Sequence, residues 1–475
     1  MAYLYSYLLF GISFTIFVCL SIVITAMHMK KLAILPVAAL MLFGFAACDI
    51  EFGFELANTV NEETSEVSED AWTGYSNGIN VVSSTTYTVD ELFALYSAAY
   101  LSGMSDSEKS NTQLGFEAFC KASISDYGFT DTPYWVIASV TYSYEAQTLP
   151  GSLIWCTHGE SKESAVPINP RYFVIDSHWT MTGADEFPSV GAAPVIALAH
   201  MDAVYVCPDQ MAAGEAQPYL CEEITANRTI AMAKAAMGYL HENGMAPLKV
   251  CEGYSIGYSQ GGASALAVHR AIEQDAALEQ AIGFRGTYSG AGPYSMTITL
   301  DKWKEWSASG DLAFPAAIGL IALAWDAYYP ELTDTYSAVN CFLSQKFRDS
   351  GALTQIAARS ANIGIINNTI KSSVGAGNAT VSELLAADWD SNASYNFMQI
   401  AQSNDLITGW TPKHPIVFFH STEDEVVPYA NTEAAIAAFP AELTTLHQQT
   451  GDHSSVGVQF YSWLGLQKGF PMAKD

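Results

Sequence analysis

The stretch Val250 to Ile272, V-C-E-G-Y-S-I-G-Y-S-Q-G-G-A-S-A-L-A-V-H-R-A-I, decides the fold. An apolar run reading as a buried strand ends in glycine, serine and glycine, and a helix of small residues follows at once. A strand can turn sharply into a helix only where glycines remove the Cβ atoms that would collide, and the serine at the apex is then exposed. Three G-x-S-x-G matches occur: Gly74 to Gly78, Gly253 to Gly257 and Gly257 to Gly261. Ser76 follows an acidic stretch with no strand before it, and Ser255 lies inside the strand. Only Ser259 has the strand, the turn and the helix together, so Ser259 is the candidate nucleophile.

Outward from that point the pattern alternates. Val136 to Tyr144, Leu153 to Thr157, Ala203 to Val206, Val250 to Tyr258, Phe284 to Tyr288, Ile416 to His420 and Leu443 to His447 read as strands. Ile224 to His241, Ala263 to Glu273, a run from Asn431 and a last run from Ser454 read as helices. Such alternation predicts an α/β fold, a mostly parallel sheet with helices on both faces and ligands at the strand C-termini. Between Tyr288 and Ile416 the rhythm breaks; the segment at about 295–410 holds the apolar run Leu312 to Tyr328 and no clear strand. It is too long for a loop and predicts a helical cap inserted before the next strand. Two further helices are expected between Thr88 and Tyr127.

A serine hydroxyl is a weak nucleophile until a base takes its proton, and the base must be held in one tautomer by a third group. The segment P-I-V-F-F-H-S-T-E-D-E-V-V-P, Pro415 to Pro428, supplies a carboxylate just beyond a strand. Asp424 is the candidate, with Glu423 and Glu425 as neighbours that compete for the role. His453, in the polar loop T-G-D-H-S-S, is the candidate base; His414, His420 and His447 sit at strand edges, where structural histidines are common.

The segment around Asp424 resembles the H-G-x-x-D-x-x-V-P stretch of α/β-hydrolases, with Ser421 in place of Gly. The order Ser, Asp, His is that family's order. Y-V-C-P-D-Q-M-A-A-G at Tyr205 to Gly214, Q-P-Y-L at Gln217 to Leu220 and G-T-Y-S-G-A-G-P-Y at Gly286 to Tyr294 resemble segments of secretory lipases and their bacterial esterase relatives. The resemblance runs from about Trp135 to the C-terminus. It implies the α/β-hydrolase fold and a serine carboxyl ester hydrolase, esterase or lipase-like, acting through an acyl-enzyme without metal or organic cofactor. An oxyanion hole is expected from the amide of Gln260 and, because L-I-W-C-T-H-G at Leu153 to Gly159 resembles the family's H-G motif, from the amide of Gly159 or Glu160. A serine exopeptidase of the same fold and an inactive binding lipoprotein are the alternatives.

The first 29 residues carry no formal charge; Lys30 and Lys31 then precede Leu32 to Ala47 and Cys48. This resembles a bacterial lipoprotein signal and implies export, lipidation of Cys48 and attachment to the cell envelope, with residues 1–47 as the export segment and translation starting at Met29. A transmembrane helix over roughly residues 3–26 is the alternative. Residues 48–87 are expected to be an acidic tether, since Asp49 to Asp70 has eight acidic residues and no Lys or Arg. A net charge of −29 excludes nucleic acid as a partner. The eight cysteines show no zinc-site or disulfide-scaffold spacing, although Cys207 and Cys221 bracket a loop and could pair. The expected partner is a small-molecule or lipid ester.

Overall fold

In the computed structural model, which describes residues 72–100, 110, 131–190, 200–247, 251–333, 337–389, 391, 397–466, 470 and 472, the alternating segments assemble into a ten-stranded sheet. Its strands are β1 (Ile79–Tyr87), β2 (Thr132–Tyr144), β3 (Gln147–Gly159), β4 (Val166–Pro167), β5 (Tyr172–Ser177), β6 (Ala203–Pro208), β7 (Glu252–Tyr258), β8 (Phe284–Gly290), β9 (Ile416–Ser421) and β10 (Thr444–Gln449). The spatial order is β1-β2-β3-β6-β5-β7-β8-β9-β10, with β4 beside β3. From β6 to β10 every pairing is parallel, whereas β1, β2 and β3 pair antiparallel with their neighbours and β3 meets β6 antiparallel. β5, β6 and β9 are buried along their whole length and mostly apolar because both faces are covered.

The main helices are α1 (Val89–Tyr100), α2 (Glu222–Glu242), α3 (Gln260–Gln274), α4 (Ala276–Ala281), α5 (Met296–Trp306), α6 (Ala316–Tyr328), α7 (Ala352–Ala358), α8 (Ile363–Val374), α9 (Phe397–Ser403), α10 (Ala430–Ala438) and α11 (His453–Leu466). Helices α2 and α3 pack on one sheet face in a core that includes Phe173, Ile175, Met232, Ala236, Ala263 and Leu266. Phe460 and Leu464 of α11 cover the other face with Val174, Tyr288 and Phe419. Among the described residues, the predicted insertion consists of helices joined by turns from α5 to α9, with one bridge between Leu343 and Leu385. It is anchored by Asn404, whose Oδ1 accepts from the Glu222 amide at 2.8 Å and the Tyr329 hydroxyl at 2.9 Å.

Two strands differ from the sequence reading. β5, Y-F-V-I-D-S, lies mid-sheet and was not foreseen. β1 falls within residues 48–87, expected to be a tether; it is mostly exposed, so no apolar alternation marks it, and backbone pairing to the long β2 holds it. Trp72, further upstream, is 1% exposed, and its Nε1 donates to the Ala281 carbonyl. Cys207 and Cys221 are both buried free thiols, not a disulfide. The export segment 1–47, Cys48, the acidic stretch to Asp70 and the second expected helix, around Leu114 to Phe119, lie outside the described residues. Among the described residues no helix is long and apolar enough to cross a membrane.

Two measurements check this architecture. Trp72→Ala empties a core site and is expected to cost about 3–5 kcal/mol in urea unfolding, where a true tether residue would cost nothing. Glu222 is 2% exposed, no described group hydrogen-bonds its carboxylate, and burial raises its pKa to about 8. A raised carboxyl favours the fold when neutral; its contribution is full below the unfolded-state value near 4.3 and is lost as pH rises to about 8. Glu222→Gln is therefore expected to flatten the stability profile between those limits, read from unfolding midpoints across that range.

Candidate active site

β7 delivers the nucleophile. Ser259 follows its last residue and has φ 60° and ψ −125°, a conformation that non-glycine residues rarely hold. The turn is maintained by its own amide donating to the Gly290 carbonyl of β8 at 2.9 Å and by close backbone contacts that only glycine permits. A Cβ on Gly257 would lie 2.1 Å from the Gly261 carbonyl oxygen, and one on Gly261 would lie 2.1 Å from the carbonyl oxygen of Ser177 at the end of β5. The other two motif serines are elsewhere. Ser255 is wholly buried and donates to the Ala265 carbonyl at 3.0 Å, while Ser76 is exposed beside α2.

The three candidate groups meet. His453 Nε2 lies 2.8 Å from Ser259 Oγ, and its Nδ1 lies 2.6 Å from Asp424 Oδ2. Ser259 and His453 are each 9% exposed and Asp424 is 4% exposed. Burial alone would raise the Asp424 carboxyl; hydrogen bonds from His420 and His453 overcome it and hold the group well below the usual carboxylate range. Its other oxygen accepts from the Val426 and Val427 amides at 2.9 and 2.8 Å. The histidine is thus held between an ionised acid and the alcohol, with Nδ1–H donating to Asp424 and Nε2 facing the hydroxyl.

Several supporting residues were not predicted. His420 Nε2 lies 3.2 Å from Asp424 Oδ2 and 3.1 Å from the Val427 carbonyl, and its Nδ1 lies 2.7 Å from Thr432 Oγ1. It orients the acid; the i, i+4 spacing His420–Asp424 was the available signal. The Tyr258 hydroxyl donates to the His453 carbonyl at 2.7 Å. Glu425, a rival for the acid, accepts from the His453 amide at 3.1 Å, and Glu423 accepts from the Gly451 amide at 3.0 Å. Both glutamates hold the base's loop instead of orienting its ring. His447 belongs to β10, and His414 joins Glu273 away from the triad.

Gln260 opens α3, where first-turn amides have no intrahelical acceptor, so its N–H is available beside the nucleophile. Gly159 and Glu160 are not beside it, and that expectation is corrected. β3 runs antiparallel to β6, with Gly151 opposite Pro208 and Ile154 opposite Tyr205. The C-terminal end of β3 therefore lies toward the N-terminal edge of the parallel strands, opposite the edge that carries Ser259. Gly159 sits against Ala165, and His158 pairs with Asp131 at 3.3 Å. The H-G dipeptide carries no strand direction, which is why the sequence misled. The backbone that does flank the elbow is the end of β5, at Ser177 and His178.

A cavity of about 100 Å³ lies between helices α6 and α7 of the insertion and the loops after β5 and β6, and its lining includes none of Ser259, Asp424 and His453. Met181, Phe187, Leu320, Leu323 and Ile356 make it largely apolar, and Arg359 and Glu215 supply charge. Gln217 also lines it and donates to the Gln260 side chain at 3.2 Å, which ties the cavity wall to the nucleophile's neighbour.

No family model and no curated protein matches the sequence. Solved structures do match. The rice cell wall degrading esterase LipA from Xanthomonas oryzae is 19% identical, over 81% of this chain and 94% of that one, with a TM-score of 0.53. A hydrolase from Legionella pneumophila is 15% identical, over 75% of this chain and 96% of that one, with a TM-score of 0.56. At such identities the likeness speaks to architecture, and together with the mostly parallel sheet and the serine elbow at the end of β7 it establishes that this chain has the α/β-hydrolase fold.

Proposed function

We propose that the protein is a serine carboxyl ester hydrolase. The observation that carries the reading is the pair of short contacts, Ser259 to His453 and His453 to Asp424, in a buried site at the sheet's C-terminal edge. His453 takes the Ser259 proton, Ser259 attacks the ester carbonyl, and the same imidazole then protonates the departing alcohol. Water, deprotonated by His453 in turn, releases the acid. The Gln260 amide stabilises the oxyanion, and the second donor comes from the turn leaving β5 at residues 178–180, which replaces the early-strand assignment.

The likeness in fold to LipA, named as an esterase, supports ester over amide chemistry. The chain is further proposed to be an exported lipoprotein anchored through Cys48, on the strength of the basic, apolar and small-residue pattern that precedes it.

A fluorophosphonate probe is expected to label the wild type, Ser76→Ala and Ser255→Ala, and to leave Ser259→Ala unlabelled, with turnover in the last falling on the order of 10⁵- to 10⁶-fold. Turnover of p-nitrophenyl esters is expected; hydrolysis of aminoacyl or prolyl amides alone would defeat the esterase reading. Because hydrogen bonds hold the Asp424 carboxyl below the usual range, it stays ionised through the acid region, and the base is the group whose protonation is expected to limit activity. The logarithm of kcat/KM should then rise with unit slope through one ionisation, and a flat profile from about pH 5 to 8 would remove His453 as base. Metabolic labelling with a palmitate analogue should be lost in Cys48→Ala; labelling that persists overturns the anchor.

A further inference from the structure

Away from the triad, a second cluster joins the same two elements that carry its nucleophile and its acid. His269 and Glu273 stand one turn apart on α3, and His414 lies two residues before β9 begins. One ligand atom from each, the two imidazole nitrogens and a carboxylate oxygen, falls within 4.8 Å of the others. His269 is wholly buried, Glu273 is 7% exposed, and the His414 side chain is 23% exposed.

The hydrogen-bond geometry of Glu273 is overcrowded. Its Oε1 is approached by the Lys413 amide at 2.7 Å, the His414 amide at 2.8 Å, His269 Nε2 at 2.9 Å and His414 Nδ1 at 3.0 Å. A carboxylate oxygen offers about two lone-pair directions, so four donors exceed what it can accept. The peptide amides cannot give up their protons. The two amides fill Oε1, so the imidazole nitrogens turn lone pairs inward, and a cation held between them and the second carboxylate oxygen, Oε2, is what makes that favourable.

The outer sides of both rings are arranged for that tautomer. His269 Nδ1 lies 2.9 Å from Thr287 Oγ1, within hydrogen-bond reach, and His414 Nε2 lies 3.6 Å from Glu279 Oε1, an ion-pair distance longer than a hydrogen bond, so each outer nitrogen has an oxygen nearby. Oxygen acceptors behind coordinating imidazoles are the usual outer shell of a metal site. Phe284 and Trp410 pack against the His269 ring, with centroids at 5.0 and 5.5 Å, and restrict its rotation.

We propose that His269, Glu273 and His414 bind one zinc ion, with water from the His414 side as fourth ligand. Two imidazoles and one carboxylate favour zinc over magnesium or calcium, which take oxygen ligands. Ligand atoms around tetrahedral zinc stand about 3–3.5 Å apart, so closure needs shifts of the order of 1 Å. The ion is structural: it clips the end of α3 to the entry of β9 and takes no part in hydrolysis. Sequence spacing hides it, because His414 is 141 residues beyond Glu273.

The test uses the whole protein without a polyhistidine tag. Elemental analysis after expression in zinc-containing medium should give one zinc per chain. Chelator-stripped protein should recover a Tm higher by several degrees when zinc is added, with magnesium and calcium without effect. Glu279→Gln should weaken zinc binding about 10- to 100-fold and His414→Gln more, whereas Ser259→Ala should bind zinc as the wild type does. Stripped wild type whose Tm ignores excess zinc, or His414→Gln with undiminished affinity, overturns the site. Neither result depends on ester hydrolysis, so failure here leaves the catalytic reading to its own tests.

Discussion

The buried contact between Asp424 and His453 is the constraint around which the rest is arranged. A carboxylate that is 4% exposed is unstable as an anion unless donors replace the water it has lost. Four groups do so: His453, His420 and the amides of Val426 and Val427. Once the charge is stabilised it fixes which imidazole nitrogen keeps the proton and turns the other toward Ser259. The strained backbone at Ser259 is tolerable because glycines at 257 and 261 admit backbone atoms where a side chain would stand.

The parallel half of the sheet makes this meeting possible. β7, β9 and β10 all end at the same edge, so the residues that follow them converge although Ser259 and His453 are 194 positions apart. Charge then does local work around the base. Glu423 and Glu425 accept amides from the loop preceding α11, which fixes the imidazole through its backbone as well as through its ring.

Much of this was legible from residue patterns, and the failures have physical causes. β7 and β9 were readable because a strand buried on both faces is apolar and the catalytic residues follow it immediately. β1 was not, because its side chains are solvated and only its peptide groups bind the sheet. β5 is short, with an apolar run of only four residues before Asp176 and Ser177, a pattern that periodicity cannot separate from other buried segments. The misassigned oxyanion donor arose where the antiparallel strands meet the parallel ones, between β3 and β6. Asp424 was singled out as the candidate acid by position, but the contacts of His420, Glu423 and Glu425 depend on loop geometry that no spacing encodes.

The cap leaves and rejoins the scaffold at nearly one point. The Leu406 amide donates to the Tyr294 carbonyl at 2.9 Å, so the chain departs before α5 and returns after α9 within a single hydrogen bond. Acid and base both lie downstream of that junction and the nucleophile upstream, and none of the three is inside the excursion. An insertion of different length or sequence could therefore be spliced in at that one seam without moving the serine, the histidine or the aspartate.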